Sequence, residues 1–168
     1  VKVLSFEPGR AKASLAFRVK LQQSTPVRAA ARTADGVWHV GGTWVNTTGG
    51  GCSLPSTGSA TPEWQKRLNE VSGRIWSANE NTPGGRVRIR LIHPMDTGLA
   101  AGIPAFFIQE LEISDAAGAR LMRIHAFEPV SENPLFTLDL PPGEEDLSRV
   151  RVSGVDNNGN RIQAWVER

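Results

Sequence analysis

Alternation with a period of two most restricts what this chain can fold into. Val87, Ile89 and Leu91 alternate with Arg86, Arg88 and Arg90; Leu15, Phe17, Val19 and Leu21 alternate with Ala16, Arg18, Lys20 and Gln22. Successive side chains of a strand point to opposite faces, so each run describes a β-strand with one apolar face. Shorter apolar runs at 1–6, 27–33, 37–45, 108–114, 121–127, 136–140, 150–155 and 161–166 are separated by breakers. Asp35-Gly36 and Asp156-Asn157-Asn158-Gly159 are hairpin turn signals. Gly41-Gly42 marks a bulge or bend. One stretch reads as helix. Thr61 caps it, Pro62 takes the first position, Glu63 faces the positive end of the dipole, and Trp64, Leu68, Val71 and Ile75 have helical spacing up to a stop at Gly73. Asn79 to Gly85 reads as a linker. The expectation is an all-β chain of β-sandwich modules with one intervening helix.

Composition narrows the function classes. Hydrophobic residues make up 39% and charged residues 21%, as in a packed globular protein. Net charge is +2, with Lys and Arg scattered, which argues against nucleic acid. No apolar run reaches membrane-spanning length, and no secretory signal is present. The start at Val1 reads as a processed or trimmed chain. No phosphate loop, dinucleotide fingerprint or paired carboxylate motif occurs, so no cofactor is expected. One cysteine and three dispersed histidines (His39, His93, His125) lack the short spacing of metal ligands.

The chemistry that remains is a thiol. Cys52, the only cysteine, follows Gly49, Gly50 and Gly51 and precedes a polar, breaker-rich run. A lone cysteine ordinarily packs as a small inert hydrophobe. Glycine neighbours, however, supply little apolar cover, so an accessible thiol on a glycine arm is expected. No Lys, Arg or His lies within several residues, so a strongly activated nucleophile is not expected. An internal disulfide is impossible, and oxidation is expected to join two chains through Cys52. A Cys/His hydrolase would need one of the histidines beside Cys52. His93-Pro94-Met95-Asp96 lies where alternation stops. It reads as a structural turn, with partner docking by His93, Met95 and Asp96 as the functional alternative. The arginine stripe of 86–90 reads as a solvated strand face, with a partner-facing stripe as the alternative. Glu144-Glu145-Asp146 reads as a solvated loop, and the five tryptophans as core or interdomain packing.

Two stretches carry a family resemblance. His93-Pro94-Met95-Asp96-Thr97-Gly98, Ile103-Pro104, Ser131-Glu132-Asn133-Pro134-Leu135-Phe136 and Asp156-Asn157-Asn158-Gly159 resemble, in order and spacing, the SoxZ subunit of the thiosulfate-oxidising system over roughly 84–168. Val27-Arg28-Ala29, Asp35-Gly36 and Gly50-Gly51-Cys52 resemble the C-terminal half of SoxY. The chain thus looks like a fused SoxY–SoxZ carrier, a group with quinoprotein dehydrogenase-associated relatives. The resemblance implies two immunoglobulin-like β-sandwich modules, the first incomplete. Residues 1–58 would be SoxY-like, 59–83 a linker with a short helix, and 84–168 SoxZ-like. It also implies a periplasmic, non-enzymatic protein carrying sulfur intermediates covalently on Cys52. Its partners would be sulfur-oxidation enzymes or a quinoprotein dehydrogenase system. The alternative is a binding or assembly module without thiol chemistry. One departure is physical. SoxY ends in Gly-Gly-Cys-Gly-Gly, whereas here Ser53-Leu54 follows the cysteine and the chain continues. An arm tethered at both ends presents a bend rather than a tip.

Overall fold

The computed structural model describes residues 1–56, 63–143 and 147–168. In chain order the first elements are β1 (Leu4–Pro8), β2 (Leu15–Ala16), β3 (Thr25–Arg32), β4 (Trp38–Val45), α1 (Glu63–Lys66), β5 (Val71–Trp76) and β6 (Arg86–Leu91). They are followed by β7 (Asp96–Thr97), β8 (Ala105–Phe106), β9 (Ile108–Asp115), β10 (Arg120–Ala126), β11 (Leu135–Asp139), β12 (Arg149–Asp156) and β13 (Arg161–Glu167). A five-stranded sheet, β1-β10-β9-β12-β13, and a four-stranded sheet, β2-β11-β6-β5, make an all-β sandwich of the immunoglobulin-like kind.

The alternating runs put their apolar members between these sheets. Val87, Ile89 and Leu91 of β6 and Phe136 and Leu138 of β11 are buried from one side. Leu111 and Ile113 of β9, Met122 and Ile124 of β10 and Val150 and Val152 of β12 meet them from the other, in one continuous cluster. Each such side chain contributes roughly 1.5–3 kcal/mol through removal from water. Residues near the start of the chain belong to the same layers. β1 pairs with β10 from Leu4↔Ala126 to Pro8↔Met122, and β2 pairs with β11.

Two expected elements take another form. The helix stops at Lys66, and Val71 to Trp76 is a strand paired along β6, from Val71↔Leu91 to Trp76↔Arg86. A spacing of four, as between Val71 and Ile75, satisfies a helix face and a strand face equally. Asn69, at φ 63°, breaks the helical path. Gly73 is no helix stop: a Cβ there would lie 2.4 Å from the Arg88 carbonyl oxygen and 2.9 Å from Val166 Cγ1. Thr61 and Pro62, and likewise Glu144 to Asp146, lie outside the described residues. The second difference is at Leu15 to Gln22. It is strand only over Leu15–Ala16, with Val19 bridging Val130, and it then turns to receive the cysteine segment.

Among the described residues strands β3 and β4 pair only with each other, from Thr25↔Val45 to Arg32↔Trp38. Trp38, Val40 and Trp44 on this ribbon are 63%, 67% and 60% exposed, so these two tryptophans are not core residues among the described part of the chain.

Candidate functional site

The cysteine segment lies down as a strap across residues 20–22 and the turn at 93–97. Gly50 N–H donates to the Gln22 carbonyl oxygen at 2.9 Å, and Gly51 N–H to that of Leu21 at 3.1 Å. This pairing depends on glycine. Gly49 and Gly50 have φ of 88° and 79°, and a Cβ on Gly51 would lie 2.9 Å from the Leu21 oxygen. Cys52 follows with its backbone clamped on both sides. Its N–H donates to Gln22 Oε1 at 3.2 Å, and its carbonyl oxygen accepts from Thr97 Oγ1. Gln22 Nε2 also donates to Ser53 Oγ at 3.1 Å, and Ser56 N–H to Asp96 Oδ1 at 3.1 Å.

The thiol is therefore covered. Cys52 is 7% exposed, and Sγ lies 3.6 Å from the Lys20 carbonyl oxygen, within reach of a weak S–H donation. This corrects the expected accessible thiol: low local apolarity did not predict exposure, because cover comes from residues distant in sequence. The expected lack of a basic neighbour is corrected too. Lys20 is half-buried near Cys52, and its Nζ donates to the Met95 carbonyl oxygen. Burial lowers the Lys20 pKa below the ordinary lysine value, an effect partly offset by Asp96, Cys52 and Glu132. Nothing local signals Lys20, Gln22 or Thr97 as receivers of the strap; tertiary folding alone brings them there.

His93, Met95 and Asp96 form the floor of this junction. His93 and Met95 have no exposed surface and Asp96 is 6% exposed, so in this conformation they face the interior rather than a partner. Met95 N–H donates to His93 Nδ1 at 3.1 Å, which places the ring proton of a neutral imidazole on Nε2. Nε2 faces Asp156 Oδ2 at 3.7 Å, beyond hydrogen-bond length, and has no other partner among the described residues. Asp156 Oδ1 already accepts the N–H groups of Asn158 and Asn160 at 2.9 Å. Burial pushes the imidazole pKa down to about 4, against the opposing pull of Asp156. Phe106 packs on the ring at 4.5 Å between centroids. Met95, at φ 52°, accepts the Ile108 N–H on Sδ at 3.3 Å.

The other histidines stand elsewhere. His39 is on the exposed ribbon, and His125 faces Glu110 at 3.6 Å on the five-stranded sheet. No histidine is among the hydrogen-bonding partners of Cys52. Among the described residues no three His, Cys, Asp or Glu side chains gather as a metal site, and no helix is long and apolar enough to cross a membrane.

Fold and site together define an all-β sandwich whose single thiol is held in a glycine strap. Family comparisons divide the chain at that thiol. The model for the sulphur oxidation protein SoxZ matches residues 77–167, and that for the sulfur oxidation protein SoxY matches residues 1–52, ending on Cys52. The chain belongs to the SoxZ family and, with both matches in one polypeptide, is a fused SoxY–SoxZ-like sulfur-oxidation protein. A comparison with curated proteins finds no match.

Proposed function

We propose that this protein is a periplasmic, non-catalytic carrier that holds sulfur intermediates covalently on Cys52 and presents them to partner sulfur-oxidation enzymes. The observation that carries this reading is the position of the sole thiol. It stands at the end of the SoxY match, on a glycine strap whose contacts to the sandwich are individually weak. Loading joins two sulfur atoms: Cys52–SH and a reduced sulfur compound HS–R become Cys52–S–S–R, releasing two protons and two electrons. The electrons go to an electron-accepting partner enzyme, so the carrier needs no redox group of its own. The covered thiol adds a requirement: the strap must lift before Cys52 reacts. Gly49 to Gly51 supply the backbone freedom for that movement, and His93, Met95 and Asp96 are the seat to which it returns.

Intact mass after incubation with a sulfur donor and the partner enzymes tests the proposal. A mass increase mapping to Cys52, absent in Cys52→Ser, is expected; a Cys52 that stays unmodified at every time point while the partner enzymes consume the donor would overturn it.

The low exposure of Cys52 and the tether on both sides favour a second reading, an assembly module without thiol chemistry, associated with a periplasmic dehydrogenase system. On that reading Cys52→Ser leaves partner binding and pathway activity unchanged.

A further inference from the structure

The outer face of the four-stranded sheet carries a concentration of arginine that the strap does not use. Register places Arg74 opposite Arg88, Ser72 opposite Arg90 and Trp76 opposite Arg86, all on the side away from the core. On the other flank Thr137 faces Arg88 and Asp139 faces Arg86. Arg86 is neutralised by a two-point pair with Asp139, at 2.6 and 3.1 Å. Arg74, Arg88 and Arg90 have no carboxylate partner among the described residues. Arg88 Nε donates only to Thr137 Oγ1 at 3.2 Å. Like charges directly across a pair of strands destabilise it, and here Arg74 and Arg88 occupy such a pair. Both lie over the Trp76 ring, at 5.4 and 5.2 Å, which orders their flexible side chains. The opposite sheet mixes its charges: Arg123 pairs with Glu112 at 2.7 Å and lies 3.8 Å from Glu110, and Arg149 stands across from Glu167 in register.

We propose that this arginine face is the docking surface for an acidic face of a partner protein. The inference rests on the carrier reading above and supplies the place where a partner engages. Guanidinium groups present paired donors that match carboxylates two at a time. Positions two apart on a strand stand about 6.6 Å from one another, and neighbouring strands about 4.8 Å, a grid that rows of Asp and Glu on a strand or helix can meet. Nucleic acid fits less well. Three charges without a carboxylate neutralise few phosphates, and Trp76, the one aromatic ring on the face among the described residues, is covered by guanidinium groups and unavailable to stack a base. Placement agrees with the function. β6 runs from Arg86 towards Leu91 and then enters the turn on which the strap sits, so Arg90 is the end of the stripe nearest the thiol.

The test measures binding of the full chain to poly-L-glutamate at low salt, beside a single-stranded oligonucleotide of equal charge. Arg74→Gln/Arg88→Gln/Arg90→Gln is compared with a control triple on the other sheet, Arg149→Gln/Arg151→Gln/Arg161→Gln, which removes the same charge. Polyglutamate affinity is expected to fall about tenfold in the first triple and to stay within about twofold in the control. Equal losses in both triples, no binding by the wild-type chain, or tighter binding of the oligonucleotide through the same three arginines would each overturn the proposal. Cys52→Ser is expected to bind polyglutamate as the wild type does. Failure of the docking face therefore shows in this assay alone, and failure of sulfur carriage in the adduct assay alone.

Discussion

The sandwich core and the cysteine strap bury their side chains by different means. In the core, Leu111, Phe136 and Ile124 are at most 1% exposed among other apolar side chains, and any gap there is felt by both sheets. Cys52 is nearly as covered at 7%, yet its segment is held by single polar bonds from Gln22, Thr97, Asp96 and the backbone of 21–22. Each such bond contributes about 0.5–1.5 kcal/mol net of water. Low exposure thus has two sources here, apolar packing between the sheets and polar bonding along the strap.

The largest expected effect lies on the core side. Phe136→Ala should lower unfolding free energy by about 3–5 kcal/mol in a urea titration; a loss under about 1 kcal/mol would mean the two sheets do not share one interior. Acid comes next. His93 has its folded pKa depressed below the unfolded 6.5, so it stays neutral in the fold while the unfolded chain takes up a proton. Its contribution is complete above about pH 6.5 and is lost as pH falls through the window towards 4. Up to about 3 kcal/mol is at stake. His93→Gln should flatten that slope in unfolding curves at pH 7.5 and 5, and an unchanged slope would remove His93 from the account. Smaller again, Gln22→Ala or Thr97→Val should weaken strap closure by about 1 kcal/mol, speeding reaction of Cys52 with a thiol reagent about fivefold. Cys52-linked dimers under oxidation should also form faster on non-reducing gels, by at least that factor where both straps must open. If the urea midpoint moved as much as the reaction rate, strap and core would be one unit after all. Trp44→Ser, on the exposed ribbon, should change stability by no more than about 0.5 kcal/mol; a cooperative loss in calorimetry would attach the ribbon to the core.

Residue pattern made the core legible and left the strap's surroundings dark. Val87, Ile89 and Leu91 obey a period that only a strand satisfies, and β6 occupies that run. Val71 and Ile75, four apart, obey both periods, and pairing with β6 decided for strand where local signals favoured helix. Cys52 itself was conspicuous in the chain, but the groups that cover it are not. Lys20 and Gln22 sit in a run that reads as ordinary strand surface, and Thr97 in a turn 45 residues downstream. Polar closure of this kind leaves no periodicity, because each contact is a single bond between distant residues. His93 stood out as a residue, whereas its neutral state follows from burial, under Phe106 and against the pull of Asp156, which only the fold brings near.

The pairing of β1 with β10 also has a consequence for synthesis. Leu4 must wait for Ala126 to be made before its strand has a partner. At about 5–20 residues per second, that interval is on the order of 6–24 s, during which Leu4 and Phe6 remain on an unpaired strand. Contacts so far apart in the chain also slow folding, since a large loop must close before they form. The nascent chain therefore spends its most vulnerable period with an edge open to other strands, and holding factors that shield extended segments would have their window then.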